Sequence, residues 1–253
     1  MTPLDALAIF AAGTAAGTIN TVVGSGSLVT FPTLLALGYS PLVANVSNNV
    51  GLVPGSLSGA YGYRRELVGQ RDRLMRVGPA SLLGGLTGAV LLLTLPSSYF
   101  DAVVPVLIAV ALMLVIFGPK LSRFINRRKA EAHRTLHGVT APMFASIFLA
   151  GVYGGYFGAA QGVILIALLT IFVDDHVQRL NAAKNVLGTL VNASAALVFT
   201  FASDVDWAVA GVLALGATLG GQIGSRVGRR LDPRVLRVLI VVVGIAAIIK
   251  LLR

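Results

Sequence analysis

The sequence predicts an all-α polytopic membrane protein, an inverted repeat of two halves, each a glycine-broken hairpin followed by three transmembrane helices. Three observations predict it. The chain is 56% hydrophobic and only 12% charged, with a mean hydropathy of +0.84, where a soluble domain carries roughly twice that charged fraction. Small and amide residues recur 136 positions apart without a gap: Gly26 with Gly162, Asn45 with Asn181, Asn49-Val50 with Asn185-Val186, Ser58 with Ser194, and Gly84-Gly85 and Gly88 with Gly220-Gly221 and Gly224. Sixteen of the twenty basic residues fall into three groups that flank apolar tracts. These are Arg64 to Arg76, Lys120 to Arg134, and Arg226 to Arg237.

The apolar tracts are 4–23, 27–43, 46–63, 77–96, 102–118, 139–173, 186–202, 207–224 and 235–249. Most approach the roughly 20 residues that a helix needs to cross about 30 Å of hydrocarbon. No hydrophilic stretch is long enough for a soluble domain. The expected organisation is one membrane transport domain over 1–253, with a first repeat at 1–118, a basic cytoplasmic loop at 119–138 and a second repeat at 139–253. A membrane location follows, with lipid as the main partner.

The net charge of +10 does not point to nucleic acid, because the basic residues sit at the ends of apolar tracts, as the positive-inside bias requires. The chain has no Cys, which excludes disulfides, thiolate chemistry and Cys-ligated metal. The first tract lacks a basic n-region and a small-x-small cleavage site, and it carries half of the repeat, so it is read as part of the mature protein. No phosphate-binding loop provides for ATP. No cofactor and no metal are expected. His133 and His137 lie four apart, but beside basic residues and without a carboxylate.

Placing the three basic groups in the cytoplasm sets the path. Segment 44–63 runs inward to Arg64, 77–95 runs outward, and 102–118 returns. Segment 180–201 runs outward to the acidic loop at Asp204 and Asp206, 207–225 runs inward, and 234–251 runs outward. Corresponding segments then point in opposite directions, with both termini outside. Lys250 and Arg253 outside, and Asp174 and Asp175 inside, run against this order.

Each half opens with a broken hairpin. Residues 5–38 leave and return to one face, yet 27–38 covers only about 18 Å as helix. The breaks fall at Gly24-Ser25-Gly26-Ser27 and at Gly158-Ala159-Ala160-Gln161-Gly162. Short, glycine-interrupted segments in matching places of two halves point to a transporter's binding site, and non-helical backbone at that depth requires protein or a wet cavity around it. The alternative is an ordinary helical hairpin whose small residues only permit close packing.

After each break comes a polar helix face. Asn45, Asn48 and Asn49, with Ser47 beside them, are mirrored by Asn181, Lys184 and Asn185, with Asn192 further along. Spacings of three and four put these side chains on one face, and amides in hydrocarbon need partners or a wet cavity. Lys184 replaces Asn48 in the repeat. It is read either as the charge that meets an anion beside the helix starts at Ser27 and Gln161 or as a lysine snorkelling to the headgroups. The candidate substrate-binding set is Gly24, Ser25, Gly26, Ser27, Asn45, Asn48, Asn49, Gly158, Gln161, Gly162, Asn181, Lys184 and Asn185. No apolar segment carries Asp or Glu away from its ends. Proton coupling would therefore rest on Lys184, the substrate, or the rim residues Asp174, Asp175 and His176. The glycines at 51, 55 and 59, and Pro54, are read as packing and kinking features.

These motifs resemble the TauE/SafE sulfite-exporter family of bacterial membrane proteins. The likeness is carried by GTINTVVGSGSLVTFPTLLALGYSPLVANVSNNV at 17–50, by GVYGGYFGAAQGVILIALLTIF at 151–172 with RLNAAKNVLGTLVNASAALVF at 179–199, and by GATLGGQIGSRVGRRLDPRVLRVLIVVVG at 216–244. It implies a multi-pass protein of the bacterial inner membrane that exports sulfite or organosulfonate anions. It also assigns Gly24, Gly26, Pro32, Asn45 and Asn49 to one signature and Gly155, Gly158, Gly162, Asn181, Lys184 and Asn185 to the other. The first signature departs from a fuller glycine run in reading Gly-Ser-Gly-Ser. The leading expectation is thus a secondary transporter of small anions, with a homo-oligomer compatible. A channel for a small polar solute and a non-transporting scaffold are the alternatives. An enzyme is not expected.

Overall fold

A computed structural model of the chain describes residues 1–132 and 139–227, together with 236, 238, 240–243 and 245, and leaves the side chains of 119–132 undescribed. Among these residues the regular structure is helical: α1 Pro3–Val22, α2 Ser27–Ala36, α3 Pro41–Gly62, α4 Arg71–Thr94, α5 Ser97–Ala132, α6 Ala141–Tyr156, α7 Gln161–Phe172, α8 Val177–Ala202 and α9 Trp207–Val227. The segments Arg71–Thr94, Ser97–Gly118, Val177–Ala202 and Trp207–Val227 are long and apolar enough to cross a membrane. Exposed Leu82, Val106, Phe117, Leu149, Phe201 and Leu215 give the helices an apolar outer surface. The protein is an all-α, multi-pass membrane protein.

Local chemistry accounts for the helix ends. Thr2 and Asp5 form a reciprocal capping box at the start of α1, satisfying two donors that have no partner within the helix. Prolines occupy the first turns of α1, α3 and α6, where a missing N–H costs nothing. Within the connection 119–138, residues 119–132 continue α5 as helix, because Lys, Arg, Leu, Ala and Glu in that stretch are good helix formers. His133, His137 and the expected last helix at 234–251 lie wholly or largely outside the described residues.

Close backbone contact organises the helices. Gly216, Gly220 and Gly224 of α9 lie against backbone at Phe10, Thr14 and Thr18 of α1, and Gly221 lies against the Gly55 carbonyl of α3. The same arrangement recurs in α4. Gly84 and Gly88 lie against the Phe148 and Val152 carbonyls of α6, and Gly85 lies against the Val191 carbonyl of α8. A side chain at these positions would occupy space already filled by backbone, so small residues are what allow the approach.

Residue numbers rise together along each of these contacts, so α1, α3 and α9 run one way and α4, α6 and α8 run together. Because α3 enters the turn at 63–70 and α4 leaves it, the two triads are antiparallel. That turn meets the start of α8, where the Gln70 side-chain amide donates to the Arg179 carbonyl at 2.9 Å. Asp175 lies on the same face, paired with Arg73 at 3.3 Å and with Arg179 at 2.8 Å. An acid that runs against the positive-inside order is thus explained by its two arginine partners. At the opposite end, the Asp206 N–H donates to the Ser47 hydroxyl at 2.9 Å.

Candidate functional site

Each hairpin breaks where a glycine takes a backbone conformation that other residues rarely adopt. Gly24 has φ +90° and Gly158 has φ +79°; glycine carries no Cβ penalty there. The return arms α2 and α7 have 10 and 12 residues, about 15 and 18 Å of helix, well short of the hydrocarbon thickness. The two breaks touch. The Gly162 N–H donates to the Gly24 carbonyl at 2.9 Å, and a methyl group on either residue would overlap the backbone of the other.

Around this contact lies a cavity of about 40 Å³, lined by Asn20, Thr21, Gly24, Ser27, Ser56, Gly158, Gln161, Gly162, Lys184, Asn185, Gly188, Thr189 and Asn192. On this measure one water needs roughly 10–15 Å³, so the space suits a few waters or a small ion. The starts of α2 and α7 reach it through Ser27, Gln161 and Gly162, and helix starts favour negative charge. Its lining contains a lysine, four amide side chains and four hydroxyls, and no carboxylate.

Lys184 is 2% exposed, so it does not snorkel. Its Nζ donates to the Asn20 carbonyl at 3.0 Å and, at the long limit of 3.4 Å, to the Thr21 carbonyl. These carbonyls belong to the last turn of α1, where acceptors lack partners within the helix and the dipole favours a cation. An ammonium has three donors, so one remains for the cavity that Lys184 lines. Among the described residues, the Gln161 Nε2 is buried without a partner, as are the Ser25 hydroxyl and the Asn49 Oδ1. Of these three side chains, Gln161 lines the cavity.

Of the residues singled out in sequence, Gly24, Ser27, Gly158, Gln161, Gly162, Lys184 and Asn185 line the cavity. The others lie outside its lining, and four of them make hydrogen bonds around the breaks. Gly26 N–H donates to Asn20 Oδ1 at 2.6 Å. Asn45 Nδ2 donates to the Tyr156 carbonyl at the end of α6, at 3.0 Å, and Asn181 Nδ2 to the Thr21 carbonyl in the last turn of α1, at 3.1 Å. Asn48 accepts from the Thr30 hydroxyl. Ser25 and Asn49 are buried beside the breaks. The cavity adds Asn20, Thr21, Ser56, Gly188, Thr189 and Asn192. Asn192 Nδ2 donates to Ser56 Oγ at 3.2 Å, and these residues are 136 positions apart.

A bundle with paired broken hairpins around a buried polar cavity defines a membrane transporter. The family described as sulfite exporter TauE/SafE matches residues 9–251. The chain belongs to this TauE/SafE family of membrane transporters, and it is a multi-pass protein of the bacterial inner membrane. It is 26% identical over 253 residues to the probable membrane transporter protein YfcA of Escherichia coli K12, covering all of this chain and 91% of that protein. It is 29% identical over 219 residues to a probable membrane transporter protein of Haemophilus influenzae, covering 86% and 83% of the two chains. A third relative, the probable membrane transporter protein ORF9 of a Sinorhizobium species, is 31% identical over 251 residues, covering 96% and 91%.

Proposed function

We propose that this chain is a secondary transporter that moves small sulfur oxyanions, sulfite or an organosulfonate, outward across the inner membrane. In this reading the halves 1–118 and 139–253 form an inverted pair, joined by 119–138. They expose the cavity at the touching breaks to one side and then the other. The carrying observation is the lining itself: a buried lysine, the unpartnered Gln161 amide and two helix starts face one small space, with no carboxylate among them. That set stabilises negative charge and repels none. The antiparallel course of the two helix triads supports the inverted pairing, and the family supports sulfur chemistry.

The test is flux of sulfite and of a small sulfonate in proteoliposomes, with and without an imposed proton gradient. Saturable flux with counterflow, lost in Lys184→Ala, is the expected result. No flux of either anion in either gradient overturns the substrate reading, and large unsaturable flux without counterflow makes the protein a channel.

A further inference from the structure

On the face that carries the 63–70 turn, the ends of α3 and α9 line a second pocket, separate from the central cavity in its lining residues. Tyr61, Gly62, Arg64, Arg65, Gln222, Ser225 and Arg226 line a space of about 540 Å³. Three guanidiniums and no carboxylate form this lining. Arg64, Arg65 and Arg226 are exposed, and among the described residues none of them makes an ion pair. Elsewhere on this face the arrangement is different. Arg73 and Arg179 both pair with Asp175, whereas among the described residues the arginines beside α3 and α9 have no acidic partner, Arg64 donating to the Tyr61 carbonyl at 3.2 Å.

The surface beneath the pocket is apolar and uncovered. Leu57 is 55% exposed one turn before Tyr61 on the same side of α3. Leu219 and Ile223, 48% and 37% exposed, precede Arg226 by seven and three residues, on its side of α9. Tyr61 is 62% exposed at the boundary, with the Arg64 guanidinium stacked 4.4 Å above its ring. A tyrosine with an apolar body and a polar tip is suited to the headgroup level. Open guanidiniums above an exposed aliphatic strip match a ligand with phosphate at one end and acyl chains at the other. A free inorganic anion would use the arginines and leave the strip without a role.

We propose that the Arg64–Arg65–Arg226 pocket binds the phosphodiester headgroup of an anionic phospholipid of the cytoplasmic leaflet, with its acyl chains against Leu57, Leu219 and Ile223. Guanidiniums bind phosphate in bidentate fashion, and basic pockets at the cytoplasmic ends of membrane helices recognise such headgroups. The volume accommodates a headgroup far larger than one phosphate. The inference does not depend on which anion the central cavity takes.

The experiment counts lipids retained by the purified full-length protein, by native mass spectrometry after extraction from nanodiscs. The nanodiscs contain phosphatidylcholine with either cardiolipin or phosphatidylglycerol. Wild type and an Arg71→Gln/Arg76→Gln control are expected to retain anionic lipid. Arg64→Gln/Arg65→Gln/Arg226→Gln should lose it, at about fivefold in affinity per arginine removed. An Arg64→Lys/Arg65→Lys/Arg226→Lys variant should fall between them, because it keeps the charge and loses the bidentate fork. Monodisperse elution and unchanged thermal unfolding of each variant in detergent show that it is folded. Equal retention by the Gln triple variant and wild type overturns the proposal. Equal loss in the Arg71/Arg76 control overturns it too, by making the effect one of total charge. Complete displacement by millimolar inorganic phosphate, with no dependence on acyl chains, overturns the lipid as occupant and leaves a free-anion site.

Discussion

Gly24 and Gly162 meet backbone to backbone, the Gly162 N–H donating to the Gly24 carbonyl at 2.9 Å. One comes from the end of α1 and the other from the first turn of α7, so this single hydrogen bond joins the two broken hairpins. Neither residue has room for a Cβ, and Gly24 also holds a left-handed conformation, φ +90°. Both constraints act at the wall of the cavity.

Gly24→Ala is therefore expected to destabilise more than Gly162→Ala. Each adds a methyl where only backbone can give way, costing about 1–3 kcal/mol, and Gly24→Ala adds the strain of its φ. Thermal unfolding in detergent reads the order. Equal melting temperatures for both variants and wild type would mean that the breaks do not touch.

Gly188 provides the converse case. It lines the cavity, yet an added Cβ there meets nothing within 4 Å. Gly188→Ala should fold as well as wild type, and alanine is the better helix former by up to about 1 kcal/mol. Its methyl narrows a cavity of about 40 Å³, so flux of a sulfonate should fall about tenfold more than flux of sulfite. Gly211→Ala, which also meets no neighbour, serves as the comparison and should change neither.

Lys184 offers two separable contributions, a cap on α1 and a charge in the cavity. Lys184→Met keeps most of the side-chain volume and removes both. Loss of a charged hydrogen bond to an anion, worth about 1.5–3 kcal/mol, should weaken anion affinity by about ten- to a hundredfold. Removal of a buried charge without an acidic partner offsets the lost cap, so thermal stability should change little. A large drop in melting temperature with unchanged affinity would make Lys184 a cap and nothing more.

Asp175 carries an acid-side dependence of stability. Burial pushes its carboxyl up, but the His176 N–H, the Arg73 hydrogen bond and Arg179 outweigh this and hold it below the ordinary range. The folded protein thus takes up that proton less readily than the unfolded chain does. Its stabilisation is complete above the unfolded value near 4 and is lost as pH falls through the lower folded value. Asp175→Asn should cost about 1–2 kcal/mol at pH 7, given partly exposed arginine partners. The gap between variant and wild type should close below about pH 4, read by unfolding at constant ionic strength.

The parts legible in sequence were those that residue type alone decides. The two breaks and Lys184 stood out because glycine runs and a lysine are rare inside apolar segments, and all of them reach the cavity wall. The division of the amides was not legible. Asn45 and Asn181 share a helix face with neighbours of the same chemistry, and donation to a helix-end carbonyl does not separate the groups either, since Asn185 and Lys184 share the Thr21 carbonyl with Asn181 and still line the cavity. Asn20 was missed for a different reason. Contacts in α4 and α9 recur at a spacing of 136, but their partners in α6 and α1, Phe148 with Thr14 and Val152 with Thr18, recur at 134. The second break is two residues longer, so an ungapped register says nothing of α1. Asn20 faces Gly154 in the shorter spacing and so carried no echo. The lone asparagine in an apolar helix was the available signal.

The asparagines at the two helix ends give the last expectation, and it is an asymmetric one. Asn45 is the side chain that reaches the Tyr156 carbonyl, at 3.0 Å. The Thr21 carbonyl receives Asn181 at 3.1 Å, Asn185 at 3.3 Å and Lys184 at 3.4 Å. Removing one donor of several leaves an acceptor satisfied, whereas removing its single donor exposes the cost of a buried unpaired carbonyl, about 1–3 kcal/mol. Asn45→Ala should therefore destabilise by that amount, and Asn181→Ala by less than about 1 kcal/mol. Thermal unfolding of the two single variants and the double variant tests this. The sites lie at different helix ends, so their effects should add. If Asn181→Ala proves the more damaging, the three donors do not share the Thr21 carbonyl, and Lys184 loses the support that orients it toward the cavity.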